Sequence, residues 1–191
     1  AGNWCSWMFG RDLVNWNTNF TWAKWVTPSR DLINAFKKEG DEVRIKESVV
    51  YYDCQWSNYY PSDYYPFMYK CRLANSSIIK YRYADVLLLK AEALIMQDTP
   101  DLDAAADIID EIRERAGLGA LSVSTRSNKD AMLNALLKER RLELAFEGQR
   151  WFDLVRLDKV EEVMNAVYAK DSGRKAQVYV FLSLAYPAIG H

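Results

Sequence analysis

Four leucines, Leu133, Leu136, Leu137 and Leu144, recur on the helical period and define one apolar face. Arg140 and Glu147 fall inside that face, and Glu143 lies at its margin. This is the strongest constraint in the chain, because a charge in an apolar stripe must be paired or its burial is very costly. Arg140 is therefore expected to pair with Glu143, with Glu147 or with an acid from a neighbouring helix. The helix should run from about Lys129 to Glu147 and break at Gly148. Trp151, Phe152 and Val155 then open a return helix whose apolar pattern continues through Val160, Val163, Met164 and Val167. The run Glu139 to Arg156 is thus predicted to be the ion-paired centre of a helical hairpin, with Arg140, Glu143, Glu147, Arg150 and Asp153 as structural ion-pair residues.

The same acids could be taken for a catalytic cluster. Glu139, Glu143 and Glu147 are spaced i, i+4, i+8 on one helix. A glycosidase needs two carboxyls facing each other across a substrate, about 5 to 9 Å apart and usually on different elements. A row on one helix flanked by Arg140, Arg141 and Arg150 is more economically an ion-pair network. A carbohydrate-active enzyme would instead lose turnover on Glu143→Gln. The single histidine is His191, which leaves no His-based metal site and no Ser-His triad. No Gly-rich phosphate loop is present. No catalytic residue, metal or cofactor is expected. The net charge of −1, with Lys and Arg mixed among acids, gives no field for nucleic acid. The densest apolar run, Ala84 to Met96, is interrupted by Asp85, Lys90 and Glu92 and is too short to span a membrane.

The 191 residues suffice for one or two domains with a real core. Ala84 to Met96 is apolar nearly all round and should be buried on several sides. Asp98-Thr99-Pro100 ends it. A second helix follows near Leu102, with Ala105, Ile108, Ile109, Ile112 and Ala116 on one face and Gly117 at the cap. Two helical hairpins, roughly 78–117 and 129–168, result, spaced much like tetratricopeptide units. Ser127 and Asp130 are placed like a capping box before the third helix. Earlier in the chain, Thr27-Pro28-Ser29 should start a short helix ending near Gly40. Asp41 to Arg44 is expected to be a charged turn. Glu47 to Tyr52 is the best strand candidate. The organisation expected is a loop-rich aromatic segment over 1–77, helical hairpins over 78–170 and an extended tail over 171–191. The fold class is mostly α with little β.

The aromatic residues are unevenly placed. Residues 1 to 27 hold Trp4, Trp7, Trp16, Trp22 and Trp25, with Asn and Thr between them. Residues 51 to 71 carry nine further rings, and Pro61 and Pro66 are expected to break any regular element there. Such rings can fill a core. An indole face can instead stack on the C–H face of a pyranose while neighbouring amides bond its hydroxyls. Trp7, Trp16, Trp22, Trp56 and Tyr59 are the candidate ligand-binding residues. Loss of sugar binding in Trp7→Ala, Trp16→Ala and Trp22→Ala with an unchanged fold would favour capture, whereas unfolding would favour core packing. Three cysteines, Cys5, Cys54 and Cys71, form no C-x-x-C pair and leave a Cys54–Cys71 bridge open. Cys5 lacks a preceding apolar signal segment and is not expected to carry a lipid.

Two motifs carry a resemblance. Arg82-Tyr83-Ala84-Asp85-Val86-Leu87-Leu88-Leu89-Lys90-Ala91-Glu92-Ala93, followed by the run Glu139 to Arg156, is similar to the C-terminal half of the SusD/RagB family. Pro28 to Phe36 resembles the segment that precedes that half, and Asp41 to Arg44 resembles a short Asp-Pro-Arg element with its proline missing. The resemblance covers about residues 26 to 168. It implies a SusD-like α-α superhelix of tetratricopeptide-like hairpins with an irregular loop-rich part. It implies non-catalytic capture of a glycan or other nutrient as the lid of a SusC-like TonB-dependent transporter. The place would be the outer face of the outer membrane in Bacteroidetes, with attachment through a lipid anchor absent from this chain. The chain itself is expected to be a piece of a longer polypeptide. A helical-repeat adaptor that binds only protein is the alternative.

Overall fold

A computed structural model describes residues 28–52, 65–70 and 79–169. The chain divides into two compact units, Ala1–Gly148 and Gln149–His191. The described part is mostly helical, with one two-stranded sheet. No helix among the described residues is long and apolar enough to cross a membrane.

Among the described residues the first unit begins with α1, Arg30–Glu39. Ser29 caps it by accepting from the Leu32 amide at 3.1 Å, and Gly40 closes it in the left-handed region. Ile33 and Phe36 face inward. Asp41 to Arg44 is not a turn. Asp41 is the N-cap of α2, Glu42–Ser48, and accepts from the Arg44 amide at 3.1 Å. Its carboxylate is buried, which a solvated turn would not need. The predicted strand is β1, Val49–Tyr52, and it pairs antiparallel with β2, Tyr65–Met68. Pro66 sits opposite Tyr51 in that ladder, so the proline does not exclude a strand. In a two-stranded sheet each strand has a free edge, and a residue without an N–H is tolerated on it.

Helix α3, Tyr83–Met96, and helix α4, Leu102–Arg115, form the first predicted hairpin. Asp101 caps α4 through the Ala104 amide at 3.0 Å. A single-turn helix, α5 (Val123–Arg126), precedes α6, Lys129–Glu143. The cap of α6 is Asn128, whose side chain accepts from the Ala131 amide at 2.8 Å. The expected Ser127–Asp130 box is one residue out of register with it. Leu88, Ala91 and Ile95 of α3 meet Ala105, Ala106, Ile109 and Ile112 of α4 and Met132 and Leu136 of α6 in the main core. The alanines are on facing positions, so the helices can approach closely. Burial of α3 is one-sided, contrary to the expectation from its composition. Val86, Leu89 and Met96 remain exposed.

Helix α6 stops at Glu143, one turn before the expected Glu147. The turn that follows holds Phe146 at φ 66° and Gly148 at φ 80°. Phe146 pays for its conformation by packing on the cluster of Phe36, Leu142 and Ala145. Gly148 has open space where a Cβ would lie, so only its backbone conformation demands glycine. Gly148→Ala should cost about 1–2 kcal/mol, the strain of one left-handed residue, in a urea melt. An unchanged midpoint would show that the turn relaxes.

The second unit contains α7, Arg150–Arg156, and α8, Val160–Tyr168. Among its described residues Leu154 and Val160 are the buried apolar ones, and Asp153, next to Leu154 in sequence, is buried too.

Candidate functional site

The last carbonyls of a helix lack intrahelical partners and carry partial negative charge. At the end of α6 two cations meet them. Lys70, just beyond β2, donates to the Glu143 carbonyl at 2.8 Å, and Arg82, the N-cap residue of α3, donates to it at 2.6 Å. The helix therefore ends where long-range side chains close it.

Around this point, among the described residues, five carboxylates (Glu39, Asp41, Glu139, Glu143, Glu147) and six cations (Arg44, Lys70, Arg82, Arg113, Arg115, Lys138) form one continuous network. Glu143 is its hub. Arg82 donates to its carboxylate at 2.6 Å and Arg44 at 3.1 Å, and Arg115 also bonds to it. One turn earlier, Glu139 accepts from Arg44 at 2.6 Å and from Arg113 at 3.3 Å. Arg44 is held from its own helix by Asp41 at 2.5 Å. Arg113 also reaches Glu39 at 3.3 Å, and Lys138 donates to Glu39 at 2.8 Å. Glu147 accepts from Arg82 Nε at 2.7 Å and pairs with Lys70. The network thus ties α1, α2, the strand exit, α3, α4 and α6 together at one end of the helical layer.

Burial and charge act on these groups in opposite senses. Burial pushes the Glu143 carboxyl up, but hydrogen bonds from Arg115 and Arg82 outweigh it and hold the group at about 2. Glu139 goes the other way. Burial pushes it above the usual range, and Arg44 and Arg113 offset only part of that. Burial lowers Lys70 despite Glu147. Arg44 and Arg82 are raised because their carboxylate partners override burial.

Arg140 is outside this network. It pairs with Asp85 of α3 at 2.9 Å, with the two side chains 2% and 4% exposed. The partner comes from a neighbouring helix, and not from Glu143 or Glu147. Asp153 pairs with Arg156 at 2.8 Å within the second unit, where Arg150 opens α7. Trp7, Trp16, Trp22, Trp56 and Tyr59 lie outside the described residues. The partners that pattern alone missed include Asp41 and Arg44 at the short α2, Lys70 past the strand, Arg82 at a cap position, and Arg113 and Arg115 in the last turn of α4.

A cavity of about 390 Å³ adjoins the hub, lined by Val43, Ile79, Ala116 and Leu142 and by Arg44, Arg82, Arg115 and Glu143. A second, of about 380 Å³, shares Arg82 and Arg115 and adds Tyr83, Leu87 and Ile112. No group of metal-ligating side chains occurs among the described residues. A carboxyl held near 2 is ionised at neutral pH and is too weak a base for proton abstraction. The arrangement suits Glu143 to fixing helices.

The SusD family profile matches residues 60–178, more than half of the sequence. The chain belongs to the SusD family. Eight members of the network, from Lys70 to Glu147, fall in the matched stretch, whereas Glu39, Asp41 and Arg44 precede it. This SusD-family chain is 38% identical over 136 residues to SusD-like protein P38 of Formosa agariphila, covering 68% of the chain and 26% of that relative. It is 38% identical over 97 residues to SusD-like protein P2 of the same organism, covering 48% and 19%. A SusD superfamily protein from Parabacteroides distasonis has a similar structure, with a TM-score of 0.50 and 25% identity over 68% of this chain and 31% of that one. The chain therefore spans about a third or less of the length of these relatives.

Proposed function

We propose that this chain is part of a non-catalytic protein that captures a glycan, or another nutrient, at the cell surface. The captured ligand passes to a SusC-like TonB-dependent transporter of the outer membrane. The longer polypeptide is lipid-anchored on the extracellular face. The match to the SusD family over residues 60–178 carries this reading. The chemistry supports it: the hub carboxylate at the end of α6 is saturated by guanidinium groups and suits a scaffold better than a proton-transfer site. Recognition is assigned to the aromatic residues Trp7, Trp16, Trp22, Trp56 and Tyr59, whose ring faces can stack on sugar.

Isothermal titration of a polypeptide as long as the relatives, against a panel of oligosaccharides, tests the reading. Binding heat is expected for at least one glycan. It should be lost in Trp7→Ala, Trp16→Ala or Trp22→Ala while the far-ultraviolet circular dichroism stays unchanged. Absence of binding to every oligosaccharide in the panel, and to peptides titrated in the same way, would refute capture and leave a protein-binding helical adaptor.

A further inference from the structure

The cavity of about 390 Å³ beside Glu143 has walls of two kinds. Val43, Ile79 and Leu142 give an apolar side, and the exposure of Val43 and Ile79 leaves it open to solvent. The other side carries charge: Arg44, Lys70, Arg82 and Arg115 against Glu47, Glu143 and Glu147. The cations outnumber the carboxylates, and the carboxylates are already engaged. Glu143 is held by Arg44, Arg82 and Arg115, and Glu147 by Arg82 and Lys70, so neither presents a free charge. Glu47 is exposed, where solvent and salt screen it.

The cations are spent unequally. A guanidinium has more donors than one carboxylate can fill. Arg82 places Nε on Glu147, Nη1 on the Glu143 carboxylate and Nη2 on the Glu143 carbonyl. Arg115 gives Nη2 to Glu143, and its side chain is 58% exposed, so the rest of its fork is open to a ligand. Arg44 gives Nε to Asp41 and Nη1 to Glu139 and Glu143, but its Nη2 is buried with no hydrogen-bond partner. A buried donor without an acceptor is costly, and such groups are rare. Arg44 and Arg115 bond opposite oxygens of one carboxylate, so the two guanidinium groups stand side by side at the cavity. The charged wall thus lacks an acceptor, and the facing wall suits hydrocarbon. Phosphate or sulfate would satisfy the arginines and leave the apolar side unused. A neutral apolar molecule would do the reverse. A planar carboxylate matches the guanidinium fork, and a compact apolar body attached to it meets the opposite wall. Small-ligand sites have this make-up, largely apolar with a few convergent polar groups.

We propose that this cavity is a binding site for a small organic acid, with its ionised carboxylate on Arg115 and the unfilled edge of Arg44, and a branched or ring-shaped apolar body against Val43, Ile79 and Leu142. The site is separate from the aromatic residues assigned to glycan and stands whether or not that assignment does. A bound acid completes the hydrogen bonding where α2, α4 and α6 meet, and so ties the three helices further.

Methyl NMR of the 191-residue chain, titrated at constant ionic strength, tests this. The probes are benzoate and isovalerate, their neutral counterparts benzamide and isovaleramide, and inorganic phosphate as an anion without an apolar body. The two acids should bind saturably at about millimolar concentration or below. They should shift the methyl signals of Val43, Ile79 and Leu142 and give nuclear Overhauser effects to them. The amides and phosphate should bind at least about tenfold more weakly, each lacking one half of the match. Arg115→Gln leaves Arg44 and Arg82 on Glu143 and should weaken benzoate at least about tenfold. Val43→Glu, at an exposed position, sets a like charge at the mouth and should abolish binding. Shifts confined to methyl groups elsewhere would overturn the site, and so would equal affinity for benzoate and benzamide. Phosphate binding as tightly as benzoate would overturn it as well, since the apolar wall would then play no part. Unchanged affinity in both variants, with the circular dichroism of the parent, would assign the bound acid to an adventitious surface contact and overturn it too.

Discussion

Asp85→Leu is expected to destabilise the first unit by about 3 kcal/mol or more, the penalty for leaving one member of a buried ion pair behind. Asp85 and Arg140 are among the least exposed charged residues described, and they join α3 to α6 across the main core. Leucine puts an apolar side chain at this buried position and takes the Asp85 carboxylate away from the guanidinium. The double variant Asp85→Leu/Arg140→Met should be closer to the parent than either single change, because a buried pair replaced by apolar groups is often neutral or stabilising. The two singles and the double form a double-mutant cycle in urea, and contacting residues should show a coupling of about 0.5–3 kcal/mol. Additive effects would sink the idea that the pair acts as a unit. A single change costing under about 1 kcal/mol, as expected of exposed pairs, would place the interaction with surface salt bridges instead.

That pair also shows what was legible in the sequence. Arg140 inside a leucine stripe announces a buried cation, and Asp85 inside Ala84–Met96 announces a buried acid. Period shows that Arg140 needs a partner, but it leaves Glu143, Glu147 and any acid of a neighbouring helix open, and only the packing of α3 on α6 selects Asp85. The helices themselves follow from the same periodicity, and α1, β1, α3 and α4 occur where it puts them. The network around Glu143 was less legible. Several of its cations come from places with no period to read, Arg44 from a helix of seven residues, Arg82 from a cap position and Lys70 from a strand exit, while Arg113 and Arg115 lie in the last turn of α4 on no apolar stripe that would mark them. Their roles depend on contacts across 61 to 99 positions of sequence. The end of α6 was misplaced for the same reason. Glu147 continues the apolar period, but cations from elsewhere bind the Glu143 carbonyl, and Phe146 and Gly148 turn the chain. Strand β2 was missed because a proline speaks against a strand interior but not against an edge. Helix α3 shows the opposite limit: its composition is apolar nearly all round, yet Val86, Leu89 and Met96 remain exposed.

The hub should also set the acid limb of stability. The Glu143 carboxyl stands at about 2 in the folded chain, against an ordinary value of 4.5. A depressed carboxyl contributes stability that is fully present above its unfolded pKa and is lost as pH falls through the folded one. The window is therefore pH 4.5 to about 2. At about 1.4 kcal/mol per pKa unit the loss is at most about 3.5 kcal/mol. Solvent reduces that figure, since Arg115, one of the three cations on Glu143, is 58% exposed and screened. Glu139 acts with the opposite sign. Its carboxyl is raised by burial, so its contribution is present at acid pH and lost as pH rises through its folded value. Adjacent members of one network thus titrate against each other. Urea stability measured at pH 7, 4.5 and 3 separates them. Glu143→Gln should lower stability at pH 7 and flatten the loss between pH 4.5 and 3. Glu139→Gln should act above that window, removing the gain in stability that its raised carboxyl gives as pH falls from 7 to 4.5. Parallel pH profiles for the parent and both variants would show that the acid limb is set outside the network. Added salt discriminates further: about 1 M NaCl should weaken the Arg115 contact at the rim far more than the Arg44–Glu139 pair beneath it, since screening acts chiefly on solvent-exposed charges.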